Sequence, residues 1–228
     1  MLHFIVMIRG QAQQDKFVLN ITKNKQNGFF LEIGSNDPIN INNTYVLENT
    51  YGWKGIMVEF SDAWLNEYKK HRPNSIHIIN DATKVDYKAT FEANNVPLHL
   101  DYLQIDLEAD NGSTLNALKK LDTEVMDKYK FATVTFEHDI YHTNHSNTRL
   151  ESRNIFEKRG YIRVFSDVNN AGENPYEDWY VHPDLVDMKT INDIINKNEK
   201  NYKTNIRQNN YFSDSMVTRS INWQDIEY

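Results

Sequence analysis

Acidic and polar side chains recur along this chain directly after short apolar runs, as Glu32-Ile33-Gly34-Ser35-Asn36-Asp37, Glu59-Phe60, Asp81-Ala82, Asp106-Leu107-Glu108 and Glu137-His138. Each has a definite chemical capacity. A carboxylate at the position of Glu59 can accept hydrogen bonds from two ribose hydroxyls. Asp106, Glu108, Glu137 and His138 can take a proton from a hydroxyl or hold a divalent metal, and the ordinary pKa of imidazole suits His138 to general-base work. Such groups can act together only if the fold brings the ends of these separate segments to one place.

A parallel sheet does this, because the strands all point the same way and ligands sit outside their carboxyl ends. Between Gly28 and Val181, β-branched and aromatic runs alternate with segments of helical period. Strands are expected at Phe29 to Ile33, Ile56 to Phe60, Ile76 to Asn80, Tyr102 to Asp106, Ala132 to Glu137, Ile162 to Ser166 and Trp179 to Val181. Helices are expected at Thr44 to Asn49, Asp62 to His71, Tyr87 to Asn94, Thr114 to Leu121 and Thr148 to Arg159, with a lead-in helix over Gln13 to Lys25 and a polar one over Ile191 to Lys200. Ser61, Ser113 and Asn147 are candidate N-caps, and Gly160 a terminator. The polar link from Asn169 to Glu177 is too short for a crossover helix, so the last two strands should pair antiparallel. The expectation is an α/β, Rossmann-like fold: a seven-stranded, mostly parallel sheet with a C-terminal antiparallel pair and helices on both faces. One domain over 1–228 is expected, with a core from about 13 to 185 and a C-terminal helix and tail over 186–228.

Composition narrows the chemistry. The net charge is −7 and cations are scattered among acids, which argues against a nucleic-acid partner. No apolar run is long enough to span a bilayer and the short apolar start lacks a basic region, so no membrane partner and a cytoplasmic location are expected. There is no cysteine, which removes thiolate nucleophiles and Cys-based zinc sites. His138, His142 and His145 invite a zinc reading, but H-E-x-x-H is absent, and the segment reads better as a loop over a substrate site. Tyr141, Arg149, Arg153 and His182 are further candidates to line that site.

The loop after the first strand discriminates between nucleoside cofactors. A pyrophosphate calls for G-x-G-x-x-G, whereas this loop has Gly34 alone and carries Glu32 and Asp37, which suit a sulfonium and an ammonium better than a diphosphate. S-adenosylmethionine is therefore favoured over a nicotinamide dinucleotide. The runs Gln14-Asp15-Lys16-Phe17-Val18-Leu19, Gly28 to Asn36, Gly52-Trp53-Lys54-Gly55-Ile56-Met57-Val58-Glu59, Asp101 to Glu108, Thr135-Phe136-Glu137-His138 and Arg159-Gly160-Tyr161 resemble the FkbM-type methyltransferases, over about Gln13 to Pro183. The resemblance departs at Glu32, where the family often has Asp, at Pro38, where a second glycine is common, and at Ala109-Asp110, where Gly usually follows the acid.

What the resemblance implies is an S-adenosylmethionine-dependent O-methyltransferase acting on a hydroxyl of a sugar, glycan or natural product. It assigns Glu32 and Gly34 to the methionine end, Glu59 to the ribose and Asp81 with Ala82 to the adenine edge, with Ser35, Asn36, Phe60 and Asp106 completing the cofactor set. Catalysis would fall to Asp106, Glu108 and His138. A similarity to metal-dependent sugar methyltransferases of the macrocin type adds Asp106, Glu137 and His138 as ligands of a divalent metal, Mg or Mn, with Glu108 as base. Imidazole suits Mn better than Mg. Whether a metal takes part is left open, as is homodimer formation. The alternatives are a dinucleotide-dependent oxidoreductase or epimerase, and a noncatalytic binding module that keeps the fold.

Overall fold

A computed structural model describes residues 7–109, 111–141, 146–169, 174–202 and 220–222. His142, His145 and Asp110 lie outside the described residues. The strands are β1 (Phe29–Ile33), β2 (Lys54–Glu59), β3 (Ile76–Ile79), β4 (His99–Ile105), β5 (Lys130–Glu137), β6 (Ile162–Asn169), β7 (Glu177–Val181) and a short β8 (Ser220–Asn222). All join one sheet in the order β3-β2-β1-β4-β5-β7-β6-β8. The strands β1 to β5 run parallel, and β7 lies antiparallel between β5 and β6, as the short polar link requires. The seven strands expected are present, and β8 adds to them by pairing parallel with β6.

The helices are α1 (Gln14–Ile21), α2 (Tyr45–Tyr51), α3 (Leu65–His71), α4 (Tyr87–Ala93), α5 (Ser113–Glu124), α6 (Ser146–Lys158) and α7 (Met188–Tyr202). Alternation along the central strands divides them between two faces. Leu31, Ile33, Leu103, Ile105, Val134 and Phe136 pack with Phe91 of α4, Leu118 and Leu121 of α5 and Phe156 of α6. Phe30, Met57, Tyr102 and Trp179 pack on the opposite face with Phe17 of α1, Leu47 of α2, Tyr68 of α3 and Ile191 of α7. The Phe17 and Trp179 rings stand 4.6 Å apart, so the lead-in helix is fastened to the C-terminal half of the sheet. No helix among the described residues is long and apolar enough to cross a membrane.

Local signals set most helix ends. The Ser61 hydroxyl accepts from the Ala63 amide at the 3-10 turn that leads into α3. Gly160 at φ +85° stops α6, with the Tyr161 amide reaching back to the Phe156 carbonyl. Ser113 differs from expectation: Gly112, at φ +76°, occupies the N-cap, and the Ser113 hydroxyl donates to the Glu108 carbonyl. Asn147 falls inside α6, which begins at Ser146. The lead-in helix stops at Ile21 instead of Lys25, because Lys23 and Asn24 both adopt positive φ.

Candidate active site

The carboxyl ends of β1 to β5 open into a cavity of about 1070 Å³. Its wall includes Glu32, Gly34, Ser35, Asn36, Glu59, Phe60, Asp81, Ala82, Asp106, Glu108 and Glu137, so every residue proposed from the sequence for the cofactor lies on it. The wall carries eight carboxyl groups, from Glu32, Asp37, Glu59, Asp81, Asp106, Glu108, Glu137 and Asp139, and among the described residues no lysine, arginine or histidine.

The β1 loop is set by close backbone approach. Gly34, at φ +86°, donates its amide to the Val58 carbonyl, and a Cβ there would lie 1.7 Å from the Asp106 carbonyl oxygen. The first loop and the β4 end therefore touch at a point only glycine fits. Glu59 ties the next connection: one oxygen accepts from the Asn36 amide at 2.8 Å and the other from the Ser61 amide at 2.9 Å. Each carboxylate oxygen has a second lone pair to offer. Glu59 can thus fix both loops and still receive two hydroxyls.

Beneath that loop lies Arg72, fully buried and absent from the sequence assignment. It donates from Nε to Glu48 at 2.9 Å and from Nη1 to the Asn42 side-chain oxygen at 2.9 Å, and it also reaches the Thr44 hydroxyl. Asn42 in turn donates to the Ser35 and Asp37 carbonyls. A lone Arg before Pro73 gives no local signal of this role, since its partners are 24 to 30 residues away.

Glu32 is 1% exposed, and its Oε2 has no hydrogen-bond partner, the Arg72 guanidinium standing 3.9 Å away. Burial pushes its carboxyl up to about 7, against the pull of Arg72. Across the β1–β4 register Glu32 faces Gln104, another cavity residue, 3% exposed and with its side-chain oxygen unpartnered. Glu137 is held well above the usual carboxylate range by burial and by Asp106 beside it. Asp81 is pushed down to about 2 by the Thr83 hydroxyl and the neighbouring Lys84. Two of the wall's apolar side chains are strongly exposed: Phe60, 76% exposed, and Ile41, 68% exposed and held at φ +52°, a conformation β-branched residues rarely adopt.

His138 departs from the expected arrangement. His138 is the first residue past β5, whose last residue, Glu137, is on the cavity wall. It is fully buried, with Nε2 3.6 Å from Asp167 and 3.5 Å from Asp178, and it lies off the cavity wall. The set Asp106, Glu137 and His138 is therefore not brought together, and the three do not fit a metal. His138, Asp167 and Asp178 do cluster. Arg149, however, forks onto Asp167 and Arg153 bridges Asp167 and Asp178, so two guanidiniums already neutralise the two carboxylates. That cluster ties α6 to the β6–β7 hairpin. Arg149 and Arg153 serve it instead of lining a substrate site, and His182 packs edge-on against Tyr161.

No family model matches the chain, and a search of curated proteins returns no match. Solved structures do match. A protein from Clostridium thermocellum, provisionally described as an rRNA methylase, is 13% identical with a TM-score of 0.53, over 78% of this chain and 97% of that one. The METTL16 methyltransferase domain is 10% identical with a TM-score of 0.51, over 79% and 70%. A provisionally described hemolysin from Streptococcus thermophilus is 11% identical with a TM-score of 0.50, over 91% and 78%. At such identities the likeness is one of fold. The chain has the fold of the Rossmann-like S-adenosylmethionine-dependent methyltransferases.

Proposed function

We propose that this protein is an S-adenosylmethionine-dependent O-methyltransferase of the FkbM type, acting on a hydroxyl of a sugar, glycan or natural product. The same reading takes residues 1–228 as one domain. The observation that carries it is the cavity wall: carboxyl groups at the ends of β1, β2 and β3, a single close-fitting glycine, and no lysine, arginine or histidine among the described residues that line it. A pyrophosphate would meet uncompensated negative charge here, whereas a sulfonium and an ammonium are attracted. The same wall, with a net charge of −7, weighs against an RNA acceptor.

Glu59 would accept the ribose hydroxyls through its remaining lone pairs, and Phe60 with Ala82 would flank the adenine. The buried Glu32 oxygen lacks a donor that an ammonium supplies. When bound, S-adenosylmethionine supplies a methyl carbon whose bond to sulfur breaks as its bond to the acceptor oxygen forms. Glu108, on the wall just past β4, would receive the proton leaving that oxygen, with Asp106 orienting the acceptor. No step is assigned to His138 or to a metal.

Calorimetry with S-adenosylhomocysteine tests this. The protein should bind it, and Glu59→Ala should lose at least tenfold in affinity. Stronger thermal stabilisation by NAD than by S-adenosylhomocysteine would overturn the reading in favour of a dinucleotide enzyme. Cofactor binding without methyl transfer to any acceptor would favour a noncatalytic module.

A further inference from the structure

Sheet order divides the cavity. With β1 between β2 and β4, the carboxyls of Glu59 and Asp81 lie on the β2–β3 side, where the proposed function seats the nucleoside. On the β4–β5 side the wall is made by Gln104, Asp106, Glu108, Glu137 and Asp139. This second half faces whatever receives the methyl group, and its chemistry is one-sided. Among the described residues it has no cation, so a phosphate, sulfate or carboxylate on the acceptor would find no counter-charge. An independent feature points to the same kind of ligand. Gln104 Oε1 is a buried acceptor with no donor, on a β4 residue that shares the cavity wall with Asp106, just past the end of the strand. It is a buried amide oxygen, on a residue of the cavity wall, that lacks an N–H or O–H partner.

We propose that the acceptor carries a protonated amine, as an amino sugar or a polyamine does, and that this ammonium seats against the Asp106 carboxylate and the Gln104 side-chain oxygen. The inference rests on the methyltransferase reading for which half of the cavity is the acceptor's. An ammonium has three donors in one compact group, enough to satisfy a carboxylate and an amide oxygen together. A neutral hydroxyl has one donor and leaves the charge of the β4–β5 wall uncompensated.

The test uses protein saturated with S-adenosylhomocysteine, so that the cofactor's own ammonium is in place before the acceptor site is probed. Glucosamine, galactosamine, kanamycin and spermidine are titrated by calorimetry beside glucose, galactose, N-acetylglucosamine and glucose 6-phosphate. At least one amine should bind ten times more tightly than its neutral, acylated or phosphorylated counterparts. The preference should weaken between low and high salt, and it should fall at least fivefold in Asp106→Asn. Gln104→Leu provides a second variant, with thermal unfolding reporting whether each is folded. Equal or tighter binding of the neutral or N-acetylated sugars, tighter binding of the phosphate, or the absence of any amine preference would overturn the proposal. Failure of S-adenosylhomocysteine to bind would instead sink the methyltransferase reading, a distinct result read in the first titration.

Discussion

Gly34→Ala separates the cost of an unusual backbone conformation from that of a contact. Gly34 and Gly160 have nearly the same φ, +86° and +85°, but a Cβ at Gly34 would lie 1.7 Å from the Asp106 carbonyl oxygen, while at Gly160 nothing lies within 4 Å. Alanine at either position pays for left-handed backbone, about 1 to 2 kcal/mol. At Gly34 the β1 loop and the β4 end must also part, straining the Gly34–Val58 and Asp106–Ile33 backbone hydrogen bonds. Overpacking of this kind costs about 1 to 3 kcal/mol more. For a chain of this length each kcal/mol lowers Tm by roughly 2 to 4 °C. Gly160→Ala should therefore lose roughly 4 °C and Gly34→Ala roughly 10 °C. Calorimetric titration adds the second readout: S-adenosylhomocysteine affinity should survive in Gly160→Ala and fall at least tenfold in Gly34→Ala. Equal losses of Tm, or an unchanged affinity in Gly34→Ala, would refute the claim that the loop is fixed by its approach to β4.

Arg72→Met should cost about 3 to 5 kcal/mol in urea unfolding, because Glu48 is left buried without its guanidinium; a loss below about 1 kcal/mol would show that the network does not hold the loop. His138→Gln should leave S-adenosylhomocysteine affinity within twofold while lowering stability by about 1 to 3 kcal/mol, and a tenfold loss of affinity would return His138 to the cavity. Glu32 has its carboxyl raised to about 7 from 4.5, so its ionisation opposes folding increasingly as pH rises between those values and by a constant amount above them. Relative to the parent, Glu32→Gln should therefore gain about 2 to 3 kcal/mol on going from pH 5 to pH 8, and a pH-independent difference would contradict the raised value.

The strands of the parallel sheet were legible because β-branched runs such as Ile56-Met57-Val58 and Ile76-His77-Ile78-Ile79 leave little choice of element, and the polar residues after them marked the ligand side. Gly34 and Glu59 were legible for the same reason: their place after a strand carries most of the information. What the sequence did not yield depends on direction and distance. His138 looked like a partner of Glu137, but it lies one residue past the end of β5 and packs against Asp167 of β6 and Asp178 of β7, a meeting no local pattern records. Gln104 is similar, since its alignment with Glu32 exists only in the register of β1 against β4. Arg72 is of this kind too. Its role exists only when α2, α3 and the β1 loop are packed together, and nothing adjacent to it in the chain records that.

Every described residue on the cavity wall lies between Gln11 and Asp139, whereas the hairpin of β6 and β7, the buried Arg149–Arg153 cluster and α7 all come later. The last third of the described chain thus adds packing to the sheet without adding to the cavity wall. Altered affinity per folded molecule would therefore come from wall positions before residue 140, whereas changes in the hairpin, α6 and α7 would register as altered abundance of a protein whose surviving molecules behave normally.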